Sequence, residues 1–311
     1  MAFRKKREKR IRAVDCVDYG LTFFAREYKR LLPFLLAFHI PFVFLGKLLA
    51  SRVVFLSILA DMGETYMAGI GSLLMLLAGE LLMGVFAAFL QVLVSGAVIH
   101  SAYRLTVFGD RPTFSDGFRR GIRLFLMRLI LAGIAYGASY AVSMVITIVF
   151  SVSTQMVDLD AFFSSPVVRI LLAVFGVSLA VFVVYVLLRF GYFPQFVVIE
   201  NRSVFRALKS SWKATKRRAW HILCVFLISQ LLSSAIMTAV TALDGLMLLP
   251  AVQESGWAVA LVSALLTSVT MIASYVGDAA FTFSYLERMD GRNGTRQYEF
   301  ALQRFFQERN V

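Results

Sequence analysis

The strongest constraint on this chain is its alternation of long apolar runs with connections of opposite charge character. Six runs, at about 31–58, 68–100, 124–150, 167–189, 220–242 and 257–284, meet the roughly 20 mostly apolar residues that a membrane-crossing helix needs. The expected fold class is therefore all-α, a polytopic integral membrane protein of six transmembrane helices. Composition agrees. Of 311 residues 59% are hydrophobic and 16% charged, against about 45–50% and about 25% in soluble domains. The second run is long enough to require tilt or an interfacial start. The first carries Pro33, Pro41, Lys47 and Arg52, which predict a kinked or partial span.

Charge sets the orientation. The connections at 61–66, 153–165 and 243–256 hold Asp61, Glu64, Asp158, Asp160, Asp244 and Glu254 but no Lys or Arg. The alternate connections carry Arg104, Arg111, Arg119, Arg120 and Arg123, then the cations between Arg189 and Arg218. An excess of Lys and Arg marks the cytoplasmic side. Both termini are thus expected in the cytoplasm. The net charge of +13 would suit nucleic acid, but its cations flank apolar runs instead of building a polar domain, so no nucleic-acid partner is expected.

The N-terminal MAFRKKREKRIR is separated by Asp15, Asp18, Arg26 and Glu27 from any continuous apolar run, unlike a secretory signal. It reads as a retained cytoplasmic anchor. Cys16 and Cys224 lack CxxC or metal spacing, and His39, His100 and His221 have no ligand-spaced partners. No metal, cofactor or catalytic residue is expected, and the chain reads as no enzyme.

Three segments have a polar and an apolar face at 100° per residue. In 203–218, Val204, Phe205, Leu208 and Trp212 oppose Arg206, Lys209, Lys213, Lys216 and Arg217, with Ser203 as N-cap. In 115–128, Phe118, Ile122 and Phe125 form a stripe against Arg120 and Arg123; in 14–30, Val14, Val17, Leu21, Phe24 and Tyr28 do so. Offsets of 98 and 90 residues align Phe24 with Ile122 and Trp212, and Arg30 with Arg128 and Arg218. The organisation expected is a basic N-terminus and amphipathic helix (1–30) and a six-helix domain (31–285), the latter with interfacial helices near 115–123 and 203–218. A cytoplasmic tail (286–311) follows, broken at MDGRNG. Three parallel repeats of one amphipathic helix plus one hairpin fit the pattern, as does the shared physics of basic helices on an anionic leaflet.

Ionisable residues inside spans are candidate functional groups. Lys47 with Glu80, and Arg189 with Asp278, are the candidate polar pairs; the first reads better as a structural ion pair than as a site, and snorkelling to the headgroups explains Arg189 equally well. Lys209, Lys213, Lys216, Arg217 and Arg218 are candidate contacts for anionic lipid. Gly133 and Gly137 match GxxxG, a helix-packing motif that also offers a self-association face.

One stretch carries a resemblance. Pro194, Val197-Val198-Ile199-Glu200-Asn201, Ala207-Leu208, Ser210-Ser211-Trp212 and Arg217-Arg218-Ala219-Trp220 resemble the central signature of a polytopic family. That family is the membrane domain named after glycerophosphoryl diester phosphodiesterase, with related six-helix bacterial inner-membrane proteins. Tyr285-Leu286-Glu287-Arg288 is similar to the family's closing turn. The resemblance implies a membrane module, with the phosphodiesterase chemistry of fused members in a separate barrel, and it carries no catalytic residue onto this chain. The function expected is a structural or accessory role in envelope or lipid homeostasis. The alternative is a carrier for a small or amphipathic solute, with a polar site near Glu80 and Lys47.

Overall fold

The computed structural model describes residues 12–34, 40–41, 43–45, 66–110, 113–153, 166–216, 218–244 and 256–293. Their regular structure is helical throughout, without strands. The helices are α1 (Ala13–Phe34), α2 (Tyr66–Phe108), α3 (Phe114–Ser153) and α4 (Pro166–Arg189), then α5 (Phe193–Val198), α6 (Val204–Thr215), α7 (Ala219–Asp244) and α8 (Gly256–Asn293).

Among the described residues, four segments are helices long and apolar enough to cross a membrane: Val85–Phe108, Pro166–Val198, Ala219–Ala242 and Trp257–Met289. They fall in the second, fourth, fifth and sixth expected runs. The third run lies inside α3, and most of the first lies outside the described residues. The chain is an all-α membrane protein. Val167, Ile170, Phe175, Phe182 and Leu187 of α4 are each more than 60% exposed. In water such a helix would forfeit about 25 cal/mol per Å² of apolar surface; in hydrocarbon it forfeits nothing.

Two boundaries differ from expectation. Residues 115–123 do not form a separate helix but run straight into 124–150, because Gly117 and Gly121 are used for packing and no proline intervenes. The α8 helix continues through Met289-Asp290-Gly291 to Asn293, where the sequence suggests a turn.

The described residues divide into two compact units, one drawn from Met1–Ile122 and Leu223–Val311, the other from Arg123–Ile222. In the first, α1 packs on α8, and α8 on α2. Small residues set the approach: a Cβ at Gly20 would stand 2.7 Å from the Val276 carbonyl oxygen. Phe23 and Tyr19 meet Phe283 edge-on at 6.5 and 5.9 Å, and Cys16 is fully buried beside Val17, Val225 and Ala280. The start of α3 crosses α2 closely enough that a Cβ at Gly121 would lie 2.5 Å from the Leu93 carbonyl oxygen. One at Gly96 would lie 2.5 Å from the Gly121 Cα. Such contacts matter in lipid, where packing and polar bonds replace hydrophobic drive between helices. Gln91 donates to Ser274 Oγ at 3.4 Å across α2 and α8.

In the second unit α6 packs on α4 and α5. At the 90-residue offset its buried positions match those of α3: Ala207 with Gly117, Ser211 with Gly121, and Ala214 with Leu124. Ile122 and Trp212, aligned by the same offset, are 36% and 40% exposed. In α1 the closely packed glycine, Gly20, stands one residue out of the 98-residue register with Gly117.

Candidate functional site

The α6 helix begins after Ser203, whose extended backbone (φ −72°, ψ 161°) suits an N-cap. Its carbonyl accepts from Ala207 N–H at 2.8 Å, while its hydroxyl makes no cap bond. Three arcs then run along the helix. Val204, Ala207, Ser210, Ser211, Ala214 and Thr215 are buried. Phe205 and Trp212 are exposed, 71% and 40%. Arg206, Lys209, Lys213 and Lys216 are exposed beside them. The wheel thus has three faces where the sequence shows two: Phe205 and Trp212 lie exposed beside the cations, whereas Val204, expected with them, is buried in a third arc otherwise made of small side chains. Close approach of two backbones requires small residues, so the bulky ones are left to the surroundings.

Two hydroxyls seat α6 on the end of α4. Ser211 Oγ donates to the Arg189 carbonyl oxygen at 2.9 Å and Thr215 Oγ1 to the same oxygen at 3.2 Å. Tyr192 N–H in turn donates to Ser211 Oγ at 3.2 Å. The last carbonyls of a helix have no partner within it. Here Val186, Leu187 and Leu188 carbonyls take Phe190 and Gly191 N–H groups, and Arg189 takes the α6 hydroxyls. Leaving such a buried acceptor unpaired costs about 1–3 kcal/mol.

The turn from α5 to α6 is fixed by two arginines. Asn201 has φ 56°, a left-handed conformation that Asn tolerates better than most residues. Arg123 Nη2 donates to the Asn201 carbonyl oxygen at 2.7 Å. Arg202 stacks over Phe196 (5.1 Å) and engages Glu200 and Ser210.

Arg189, at the last turn of α4, lies in a corner of aromatic rings. Its guanidinium carbon stands 5.0 Å from the Tyr185 centroid and 4.9 Å from that of Trp212. The two rings meet edge to face at 6.1 Å, and Phe190 lies 5.7 Å from Trp212. Nε and Nη2 both donate to the Tyr185 hydroxyl, at 2.9 and 2.6 Å, and Nη1 reaches the Trp212 carbonyl oxygen at 3.5 Å.

The structure thus gathers Arg189 with the α6 cations on one helix pair. The pairing of Arg189 with Asp278 expected from sequence joins residues of different units; within its own unit Arg189 is engaged by Tyr185 and Trp212. Asp278 sits on α8, its carbonyl accepting from Thr282 at 2.8 Å. Lys47 and Arg217 lie outside the described residues, and Glu80 is within the helical α2. Arg218 is partly buried, its N–H donating to the Thr215 carbonyl between α6 and α7. Among the described residues, nothing lies within 4 Å of a Cβ added at Gly133 or Gly137. Tyr185, Ser211 and Thr215 escape the sequence reading. Ser211 and Thr215 stand at i, i+4 on the face opposite the cations, a polar pair on an otherwise small-residue arc, and that spacing was the available signal.

Comparison with curated proteins and with solved structures yields no match. Across residues 159–291, a stretch that holds α4 to α7 and nearly all of α8, the chain matches the family described as the membrane domain of glycerophosphoryl diester phosphodiesterase, in keeping with the resemblance carried by its sequence.

Proposed function

We propose that the protein is a non-enzymatic module of the bacterial inner membrane, with both termini cytoplasmic, serving a structural or accessory role in envelope or lipid homeostasis. Anionic phospholipid is its partner. One observation carries this reading: α6 buries its small-residue arc and leaves Phe205, Trp212 and four cations exposed on the other side. Aromatic rings beside Lys and Arg suit the headgroup boundary, where the rings enter the acyl edge and each cation near an anionic surface contributes about 1 kcal/mol. Trp220, 75% exposed in the first turn of α7, extends the same aromatic set.

The test uses full-length protein in mixed phosphatidylcholine and phosphatidylglycerol nanodiscs. Replacing Lys209, Lys213 and Lys216 by Gln should reduce enrichment of phosphatidylglycerol around the protein, most at low salt because exposed charges are screened. Unchanged enrichment at low salt would sink the reading. Topology is open to reporter fusions after Glu64, Asp158 and Glu254, where a cytoplasmic signal from any one would break the six-span arrangement.

A further inference from the structure

The donors around Arg189 do not add up to a closed set. Guanidinium carries five N–H groups. Two go to the Tyr185 hydroxyl and one points at the Trp212 carbonyl oxygen at a long 3.5 Å. Among the described residues, one N–H on Nη1 and one on Nη2 find no acceptor. Tyr185 Oη, already accepting two bonds, has its own O–H to give, and among the described residues no acceptor takes it. Nor does any carboxylate among them meet the guanidinium. The nearby backbone acceptors are spoken for, since Ser211 and Thr215 hydroxyls occupy the Arg189 carbonyl and Thr215 Oγ1 also lies 3.2 Å from the Trp212 carbonyl. Arg189 is therefore held in position by groups that leave part of its fork unused.

Three convergent donors and a full positive charge call for an anion with several acceptor oxygens. Bidentate geometry on a guanidinium suits phosphate. The surroundings specify which phosphate. Lys209, at i−3 from Trp212, and the C-cap residue Lys216, at i+4, adjoin the Trp212 edge of the corner, with Lys213 further round the helix. On the same face of α4 as Arg189, Phe182 and Phe175, at i−7 and i−14 and 61% and 67% exposed, form an apolar wall leading away along a membrane-spanning segment. A charged corner at the foot of an apolar wall matches a headgroup with its acyl chains.

We propose that Arg189, positioned by Tyr185 and Trp212, binds the phosphodiester of one inner-leaflet phospholipid, with the Tyr185 hydroxyl as a further donor and the α6 lysines supplying added positive field. This deepens the lipid reading above by turning a diffuse attraction into one defined site. The general platform and the single site are separable because screening weakens exposed lysines far more than a ring-packed guanidinium.

The experiment is native mass spectrometry of full-length protein released from phosphatidylcholine nanodiscs containing a low fraction of phosphatidylglycerol. Wild type should retain one phosphatidylglycerol after a high-salt wash. R189Q and R189K should lower that retention about tenfold, the second because a lysine keeps the charge but loses the fork, and Y185F about threefold. The K209Q/K213Q/K216Q variant should lose low-salt enrichment while keeping the retained lipid. Should R189Q fail to fold, R189K and Y185F, which preserve the charge and the ring respectively, decide the matter. Wild-type retention in both of those variants would overturn the site. Displacement of the lipid by millimolar inorganic phosphate would overturn its assignment to a lipid headgroup. If instead the Arg189 variants lose the lipid while the lysine variant keeps its enrichment, the site stands and the broader platform fails.

Discussion

Helix α3 carries the same motif twice with opposite outcomes. Gly117-Phe-Arg-Arg-Gly121 meets α2 at backbone contact: an added Cβ would stand 3.0 Å from Ala97 Cβ at the first glycine and 2.5 Å from the Leu93 carbonyl oxygen at the second. Gly133-Ile-Ala-Tyr-Gly137, about four turns later, has no described residue within 4 Å of a Cβ added at either glycine. The difference teaches that GxxxG is permission for close approach, not evidence of it. What decides is whether another helix backbone arrives at that level, and α2 does so at Leu93, Gly96 and Ala97. The first motif escapes notice in sequence because its arginines make it look like a solvated face; the second attracts notice because it sits in an apolar run.

This contrast can be broken by experiment. The largest effect is expected from Gly121→Val, whose side chain would collide with α2 backbone that has no rotamer by which to yield. Loss of about 3 kcal/mol or more is expected, read as a lowered unfolding midpoint in detergent or as failure to fold. Next comes the double change Ser211→Ala with Thr215→Ala, which strips the Arg189 carbonyl of both donors; it should cost about 1–3 kcal/mol in the same assay. Gly117→Ala is the sharper probe of the first motif. Its methyl would touch the Ala97 methyl, a side chain able to shift by tenths of an ångström, so a loss of about 1 kcal/mol is expected. A loss equal to that of Gly121→Val would mean that the crossing has no slack at all. Smallest is Gly133→Ala with Gly137→Ala, where an open site and a better helix former predict unchanged or slightly raised stability, by about 0.5–1 kcal/mol per site. Destabilisation, or a change in apparent mass by analytical ultracentrifugation, would show that a second copy fills the gap and that the two motifs are alike after all.

Much of the site was legible in the residues. The charge asymmetry of the loops and the 3.6-residue period of 203–218 place a basic amphipathic helix between two spans, and α6 stands there, from Val204 to Thr215. The wheel is incomplete at a third face. Hydropathy groups Val204 with Phe205 and Trp212 and gives no weight to Ala207, Ser211 and Ala214, yet Val204 and those small residues are the buried ones. In a membrane hydropathy does not rank burial, because lipid solvates Phe and Trp as well as protein does, whereas close backbone contact admits only small side chains. Arg189 shows the same limit from the polar side. Its position near the end of an apolar run points to an ion pair or a snorkelling cation; Tyr185 stands one turn earlier on the same helix, but that Trp212 closes the corner depends on a later helix folding back.

Sequence by itself determined the class of this protein: a helical membrane chain, with amphipathic helices of basic character between apolar runs, and a membrane-domain resemblance centred on Pro194–Trp220. Those properties follow from composition and local period, which any stretch of chain carries with it. Only the tertiary structure decided which glycines touch, which arc of α6 is buried, and that Ser211, Thr215 and Trp212 converge on the Tyr185–Arg189 end of α4. Convergence of that kind arises between helices, from distances that no single helix contains.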